Sequence, residues 1–265
     1  MRVAVIGTGA MGGAILTGLL EAGWDAGHLV AVDLSEERRT HFSDLGVATA
    51  SNPSQLSACD VVVVATKPQH VLDAVEELNS LDFGGCACVL VSVAAGISTA
   101  AIEAVFVDKP VVRAMPNTPA LVGAGMSAIA PGSLANCDHL ARAEAVLGCV
   151  GQVVIVDESD IDAVTAVSGS GPAYAFFLAE AMEAAGVALG LDSDIARKIV
   201  TQTLLGAGTL LAQSRETATV LRERVTSPGG TTAAALATMR EHNFEAIIYE
   251  AVVAAATRSK ELGET

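Results

Sequence analysis

The chain has 265 residues, 51% of them apolar and 17% charged, with a formal net charge of −15. That composition excludes a disordered chain, and the length allows one large domain or two of ordinary size, at roughly 100–200 residues each. The acidic balance, with no basic stripe to offset it, opposes binding to a nucleic-acid backbone. It also requires that any bound phosphate be held by a local feature, such as a helix N-terminus or a single Lys.

In chain order, the first part alternates strands and helices. Val3–Ile6 is a short apolar run, 14–21 has helical spacing, 28–33 reads as a second strand and 36–45 as a charged helix. The segment 60–65 contains four consecutive Val, the pattern of a strand buried on both faces in a parallel sheet. A helix is expected over 71–78 and strands over 88–93, 111–115, 126–130 and 153–156. This alternation predicts a doubly wound parallel sheet with right-handed crossovers. From Ile161 onward β-branched runs give way to Ala-rich helical periodicity. Helices are expected over 173–185 (with Pro172 in the first turn, where it is tolerated), 195–211 (capped by Asp192 or Ser193), 231–241 and 244–262. Several are apolar around most of their circumference, more than a domain of about a hundred residues can bury alone. A dimer with interlocking helical domains is therefore expected. The division falls at 1–158 and 159–265.

Mean hydropathy is +0.50, carried largely by Ala and Val. No stretch reaches the ~20 uninterrupted apolar residues of a membrane span, and the run from Cys86 to Ile97 is short and broken by Ser92. Because the N-terminal residues enter a strand at once, no signal peptide is expected, and the cytoplasm is the expected compartment. The five Cys are scattered, with no Cys-x-x-Cys, which points to free thiols rather than a zinc or redox site. Cys86 and Cys88 would face the same side of a strand. His28, His41, His70, His139 and His242 show no ligand spacing, so no metal is expected.

Gly7-Thr8-Gly9-Ala10-Met11-Gly12 fits G-x-G-x-x-G, follows a strand and opens a helix, and Asp33 ends the next strand about 20 residues on. That context is the dinucleotide-binding fingerprint of a Rossmann domain. Gly7 permits the tight turn, Gly9 lets the backbone approach a pyrophosphate, and Gly12 lets the helix pack on the strand. Thr66-Lys67-Pro68 follows the Val-rich strand at its carboxyl end, where ligands bind in open α/β sheets, and Lys67 offers a local positive charge.

Four further segments carry a resemblance. They are Ala94-Ala95-Gly96; Arg113-Ala114-Met115-Pro116-Asn117-Thr118-Pro119-Ala120; Val167-Ser168-Gly169-Ser170-Gly171-Pro172-Ala173-Tyr174; and Ser227-Pro228-Gly229-Gly230-Thr231-Thr232. With the N-terminal loop, in this order, the chain resembles the pyrroline-5-carboxylate reductases. The resemblance implies a Rossmann domain, a C-terminal all-helical dimerisation domain, a homodimer and often rings of dimers. It implies hydride transfer from NADPH, or NADH, to the C=N carbon of 1-pyrroline-5-carboxylate, giving L-proline. By position, Ile6, Gly7, Thr8, Gly9, Ala10, Met11, Ser35, Asn52, Ala65, Thr66, Lys67, Pro68, Val93, Ala94 and Ala95 would line the cofactor. Ser227, Gly230, Thr231 and Thr232 would hold the substrate, from the partner subunit. The family often has a shorter residue at the Thr231 position.

These residues suit that chemistry. Reducing a ketone requires a general acid near the developing alkoxide, whereas a cyclic imine is basic enough to arrive protonated. A hydroxyl such as that of Thr232 then suffices to orient the nitrogen, and a Gly-Gly turn exposes backbone N–H groups for the carboxylate. On the residues alone, Ser227–Thr232 also reads as an ordinary helix start with a Thr cap. Ser168–Gly171 is not a nucleophile elbow, which needs G-x-S-x-G after a strand; a tight helix–helix contact is the reading here, and Tyr174 is expected in the core. A 3-hydroxyacid dehydrogenase would carry Lys and Asn where Ala175 and Leu178 stand. A non-catalytic dinucleotide sensor would have a degraded substrate loop. Two arguments bear on the cofactor's 2′ position. Asp33 is placed to accept from a ribose 2′-OH and so favours NADH. The resemblance instead favours NADPH, held by the loop after this strand, where Ser35 and either Arg38 or Arg39 can meet a phosphate. Both cofactors are expected to work, with NADPH preferred only modestly.

Overall fold

A computed structural model of the chain describes residues 1–56, 58–79, 81 and 88–263. Cys86, expected to share a strand face with Cys88, lies outside the described residues. The chain forms two compact units, Met1–Ser170 together with Ala255–Thr265, and Gly171–Ala254.

The first unit contains the strands β1 (Val3–Ile6), β2 (Leu29–Val32), β3 (Ala48–Ala50), β4 (Val61–Val64), β5 (Val89–Ser92), β6 (Val111–Met115), β7 (Gly125–Pro131) and β8 (Gly151–Ile155). They form one sheet in the order β3-β2-β1-β4-β5-β6-β7-β8. β1 to β6 are parallel, as the alternating pattern requires, but β7 runs antiparallel to β6 and β8 parallel to β7. The cause is the link Pro116–Ala124, which holds only a 3-10 turn at Thr118–Val122. A parallel return needs a crossover of a dozen or more residues.

The helices of this unit are α1 (Ala10–Glu21), α2 (Glu36–Asp44), α3 (Val71–Asn79), α4 (Thr99–Val105), α5 (Cys137–Leu147) and the short α6 (Ile161–Val164), which runs on into a π turn at Thr165–Gly169. Successive strand side chains point to opposite faces, and each face has its own core. Val3, Val5, Leu29, Val61 and Val63 pack with Ile15, Leu16 and Leu19 of α1 and Val146 and Leu147 of α5. Ala4, Ile6, Val30, Val62 and Val64 pack with Val75 and Leu78 of α3, Ile102 of α4 and Phe106. The four Val of β4 are fully buried because both faces are covered.

The second unit contains α7 (Gly171–Ala188), α8 (Ser193–Gln213), α9 (Ala218–Arg224), α10 (Thr231–Glu241) and most of α11 (Phe244–Gly263), whose residues from Ala255 belong to the first unit. Of the two expected caps for α8, Asp192 is the one used, accepting from the Asp194 and Ile195 N–H groups. α7 and α8 cross closely at Gly186, where a Cβ would stand 3.4 Å from the Ala196 methyl. Among the described apolar residues of this unit only Ala196 and Val200 are buried, while Phe176 is 64%, Phe177 74%, Leu189 88% and Tyr249 71% exposed. The apolar circumference legible in the sequence is thus uncovered in the single chain. Tyr174, expected in the core, is half-buried there.

One partly buried knot closes the first unit. Glu158 accepts from the Thr99 N–H at 2.7 Å, from the Thr99 hydroxyl, and from Arg113 Nη1 at 3.1 Å. It thereby joins the start of α4, the middle of β6 and the approach to α6. Burial pushes the Glu158 carboxyl up, but the bonds from Thr99 and Arg113 outweigh it and hold the group below the ordinary glutamate value. A carboxyl that releases its proton more readily when folded stabilises the fold fully above the unfolded glutamate value. That contribution is lost as pH falls through the folded value. Glu158→Gln is therefore expected to lower stability by roughly 1–3 kcal/mol at neutral pH, and by less as the pH is lowered into the acid range. Urea unfolding of both proteins across that range checks it.

Candidate active site

The site begins where β1 stops. Gly7 has φ +85° and donates its N–H to the Val32 carbonyl at 2.7 Å, a conformation that glycine adopts without steric cost. A Cβ on Gly7 would lie 2.9 Å from the Ala65 carbonyl oxygen, and one on Gly12 would collide with the Gly7 carbonyl oxygen. The turn is pressed against the carboxyl end of β4, and α1 against the turn. Gly9, by contrast, has open space: the nearest atom to a Cβ there is Arg38 Nη1 at 3.6 Å. Gly9 is the N-cap of α1, no side chain caps the helix, and its first turn has no acidic residue. The free N–H groups and the positive end of the helix dipole therefore face an uncontested space, the arrangement that holds phosphate.

Asp33 ties this turn to β2. Its Oδ2 accepts from the Thr8 N–H at 2.7 Å, the Thr8 hydroxyl at 3.0 Å and Arg38 Nη1 at 3.3 Å; its Oδ1 accepts from the Ser35 N–H at 2.9 Å. Burial pushes the carboxyl up, yet the bonds from Ser35, Thr8 and Arg38 hold it below the ordinary aspartate value. Ser35 caps α2, while Arg39 Nη1 donates to the Asp33 and Leu34 carbonyls at 2.6 and 2.8 Å. Glu36 and Glu37, which oppose a phosphate by charge, are exposed on the first turn of α2.

The remaining expected cofactor residues stand at neighbouring strand ends. The Ala65 N–H donates to the Ile6 carbonyl and the Val93 N–H to the Val64 carbonyl, so the ends of β1, β4 and β5 are level. The Thr66 hydroxyl is buried with no hydrogen-bond partner among the described residues. Lys67 and Pro68 are exposed on the following turn. Ala94 follows β5, its N–H directed at the Ser92 hydroxyl at 3.5 Å, and Ala95 leads into Gly96, φ +79°. Asn52 lies just past β3 and caps the 3-10 turn Pro53–Gln55. An orphaned hydroxyl and an open helix start, both at the carboxyl ends of parallel strands, fit a dinucleotide.

Two contacts here were not legible in the sequence. Asn117 donates to the Ser168 carbonyl and hydroxyl, both at 3.2 Å, and accepts from the Met126 N–H, which pins the π turn to the end of β6. A Cβ on Gly169 would stand 2.8 Å from the Met115 methyl. The expected helix–helix contact at Ser168–Gly171 is thus corrected: at Gly169 the π turn packs on a strand end. An inserted π turn leaves no periodicity signal in a sequence, although such turns favour functional sites.

In the second unit, Ser227–Thr232 form their own cluster. Gly229 has φ +71°, the Gly230 N–H donates to the Ser227 carbonyl, and a Cβ on Gly230 would lie 2.5 Å from Ser227 Oγ. Gly230 is the N-cap of α10, with no side-chain cap and no acidic residue in the first turn. The Thr cap of an ordinary helix start is therefore absent: Thr231 and Thr232 are the first helical residues, and no side chain caps the helix. Glu216 and Arg224 form an ion pair across α9, just before this cluster.

Residues 158–262 match the family model described as pyrroline-5-carboxylate reductase dimerisation, and residues 2–96 that described as NADP oxidoreductase, coenzyme F420-dependent. The chain is 41% identical over 266 residues to pyrroline-5-carboxylate reductase of Corynebacterium melassecola, covering 99% of this chain and 98% of the relative. It is 41% identical over 264 residues to that of Haemophilus influenzae, with 98% and 97% covered. The chain belongs to the pyrroline-5-carboxylate reductase family. The solved structure of the Coxiella burnetii reductase superposes with a TM-score of 0.95 at 34% identity, covering 100% of this chain and 99% of that one. The Plasmodium falciparum enzyme, with NADP bound, gives 0.85 at 27% identity, with 99% and 98% covered. As a member of this family the chain is an NAD(P)-dependent oxidoreductase acting on C=N bonds, and its dimerisation domain makes it a homo-oligomer. Among the described residues no helix is long and apolar enough to cross a membrane.

Because any side chain at position 12 meets the Gly7 carbonyl, Gly12→Ala must displace α1 from the strand end. A loss of roughly 1–3 kcal/mol of stability is expected, together with weaker cofactor binding. Thermal unfolding and a cofactor titration on the purified variant check both.

Proposed function

We propose that the chain reduces the C=N bond of 1-pyrroline-5-carboxylate to L-proline. The observation that carries this reading is the cluster Ser227–Thr232, an acid-free helix start capped by glycine whose segment holds three hydroxyl residues, Ser227, Thr231 and Thr232. Uncapped N–H groups at the start of α10 suit a carboxylate, and the Ser227 and Thr231 hydroxyls add donors. The Thr232 hydroxyl orients the ring nitrogen. No side-chain acid is required, since the imine arrives protonated and the hydride completes the product. NADPH, or NADH, supplies that hydride when bound.

In this reading the cofactor is held by Ile6 to Met11, Ser35, Asn52, Ala65 to Pro68, and Val93 to Ala95. The turn at Gly9 takes the pyrophosphate, and the Thr66 hydroxyl gains the partner it lacks. The chain divides into a cofactor part, 1–158, and a dimerisation and substrate part, 159–265, a boundary supported by the start of the dimerisation match at residue 158. Rings of dimers belong to the same reading. A cytoplasmic location is supported by Cys137 and Cys149, both free thiols, as suits a reducing compartment.

Purified protein given 1-pyrroline-5-carboxylate is expected to oxidise NADPH or NADH and to form proline. Folded protein with no turnover on either cofactor overturns the reading. Thr232→Ala is expected to lower kcat/KM by roughly 10- to 100-fold, the loss of one or two hydrogen bonds, with cofactor affinity little changed. Full activity in that variant removes Thr232 from the role.

A further inference from the structure

We infer that the last turn of α11 positions the dinucleotide site from behind: Leu262 and Gly263 back the turn that follows β5, and a bond from Ser259 to Asp162 keeps them there. The inference rests on the reading that Val93 to Ala95 line a nicotinamide dinucleotide.

The turn after β5 has little of its own to hold it. Ala94 and Ile97 reach the core shared with α3 and α4, but Ala95 and Gly96 between them have no side chain long enough to do so. The Ala94 N–H meets the Ser92 hydroxyl only at 3.5 Å, a weak bond at best. The next firm tie is at Thr99, whose N–H and hydroxyl are both held by Glu158. Between these points the support comes from α11. A Cβ on Gly96 would stand 3.3 Å from the Leu262 carbonyl oxygen, and one on Gly263 would stand 3.6 Å from the Gly96 carbonyl oxygen. Backbone thus meets backbone, with no side chain between.

Ser259 lies three and four residues before Leu262 and Gly263, a spacing that shares one helix face. Its hydroxyl donates to Asp162 Oδ1 at 2.7 Å, in a partly buried pair. Asp162 is on α6, four residues after Glu158. The end of α11 therefore touches two segments that are already joined to each other at Thr99 and Glu158, and it closes a ring of contacts through Gly96, Thr99, Glu158, Asp162, Ser259 and Leu262. These helix residues fall within the match described as dimerisation, 158–262, yet from Ala255 onward they belong to the compact unit that carries the Gly-rich turn. Assembly does not account for their contacts with Gly96 and Asp162.

In the sheet order, β5 stands beyond β4 from β1, on the side away from β2. The 2′ end of a dinucleotide is read after β2. Loosening the turn after β5 should therefore weaken NADP⁺ and NAD⁺ equally.

The test is binding of both nucleotides to the full-length protein by calorimetry, beside thermal unfolding without ligand. Ser259→Ala is expected to weaken both by roughly three- to tenfold, the scale of one hydrogen bond. Ser259→Thr keeps the hydroxyl and is expected to recover most of the loss. Removing residues 259–265 takes away the backbone contact as well, and a loss of at least about tenfold is expected. At saturating NADPH, the KM of Ser259→Ala for 1-pyrroline-5-carboxylate is expected to stay within about twofold of wild type. Ser259→Ala that loses thermal stability but no cofactor affinity would reveal a brace for the fold alone and overturn the proposal. So would a changed NADP⁺/NAD⁺ affinity ratio, or a raised KM for the imine with cofactor affinity intact. The Ser259→Ala and Ser259→Thr pair decides the matter even if the shortened chain does not fold. Wild-type protein that binds neither nucleotide overturns the dinucleotide reading itself, and the proposal with it.

Discussion

The backbone of Gly12 lies against the carbonyl oxygen of Gly7, and the site in the first unit depends on that contact. Any side chain at position 12 would occupy the oxygen's place, so the contact exists only because the residue has no Cβ. It seats the first turn of α1 at the end of β1, with the Gly7 turn against Ala65 and Thr66. Once α1 is seated there, its uncapped first turn stands beside the carboxyl ends of β1 and β4. Thr8, carried inward by the positive φ of Gly7, turns its N–H and hydroxyl to Asp33. The Asp33 bonds then fix the start of α2 and place Arg38. One steric condition thus propagates through three elements to a charged side chain at the surface.

The charge balance makes that geometry matter more. A chain of net charge −15 repels a dinucleotide and a carboxylate substrate at long range, so attraction must come from within a few ångströms. Two helix starts have the form that can supply it. α1 and α10 are both capped by glycine, have no capping side chain and contain no acid in the first turn. Other helices of the same chain are capped in the usual way: α2 by Ser35, α4 by Ser98, α8 by Asp192 and α9 by Thr217. A capping side chain satisfies the orphan N–H groups and stabilises its helix, but it also occupies the position an anion would take. α1 and α10 forgo that stabilisation, and both lie on segments of the family pattern.

Much of this was legible in the residues, for identifiable reasons. β4 is readable because burial on both faces admits little but β-branched residues, and Gly7–Gly12 because Gly7 and Gly12 each answer a separate steric demand. The apolar circumference of α7 and α8 announces a surface that one chain leaves open. β3 was not legible: Ala48–Ala50 is a short edge strand with exposed side chains, so neither burial nor alternation marks it. α4, α5 and α9 are marked mainly by their caps, Ser98, Asn136 and Thr217, rather than by a long apolar stripe. The reversal of β7 was hidden because hydrophobic pattern carries no information about strand direction; only the short link before it does. Asp33 was legible as an acid at the right place, but its partners were not. Which donors turn toward it is decided by φ at Gly7 and by the path of α2, which are tertiary facts.

The helical unit matches the family's dimerisation domain and also carries the cluster Ser227–Thr232. Its exposed Phe176, Phe177 and Tyr249 represent apolar area that water penalises at about 25 cal/mol per Å², so the isolated fold of this unit is poorly stabilised and dimerisation supplies what its own core lacks. A partner that binds only the folded unit stabilises it by mass action, and the α9–α10 turn that carries Ser227–Thr232 is part of what is stabilised. In the first unit β1, β2, β4 and β5 are covered on both faces by its own helices, while Val154 and Ile155 of β8 are exposed. The strands that carry the Gly-rich turn therefore rest on a core formed within one chain, whereas Ser227–Thr232 rest on a unit whose apolar faces one chain leaves open. The Glu216–Arg224 pair beside that cluster is a local brace, and an exposed pair of this kind contributes little by itself. The order of the α9–α10 turn must then come largely from the dimer.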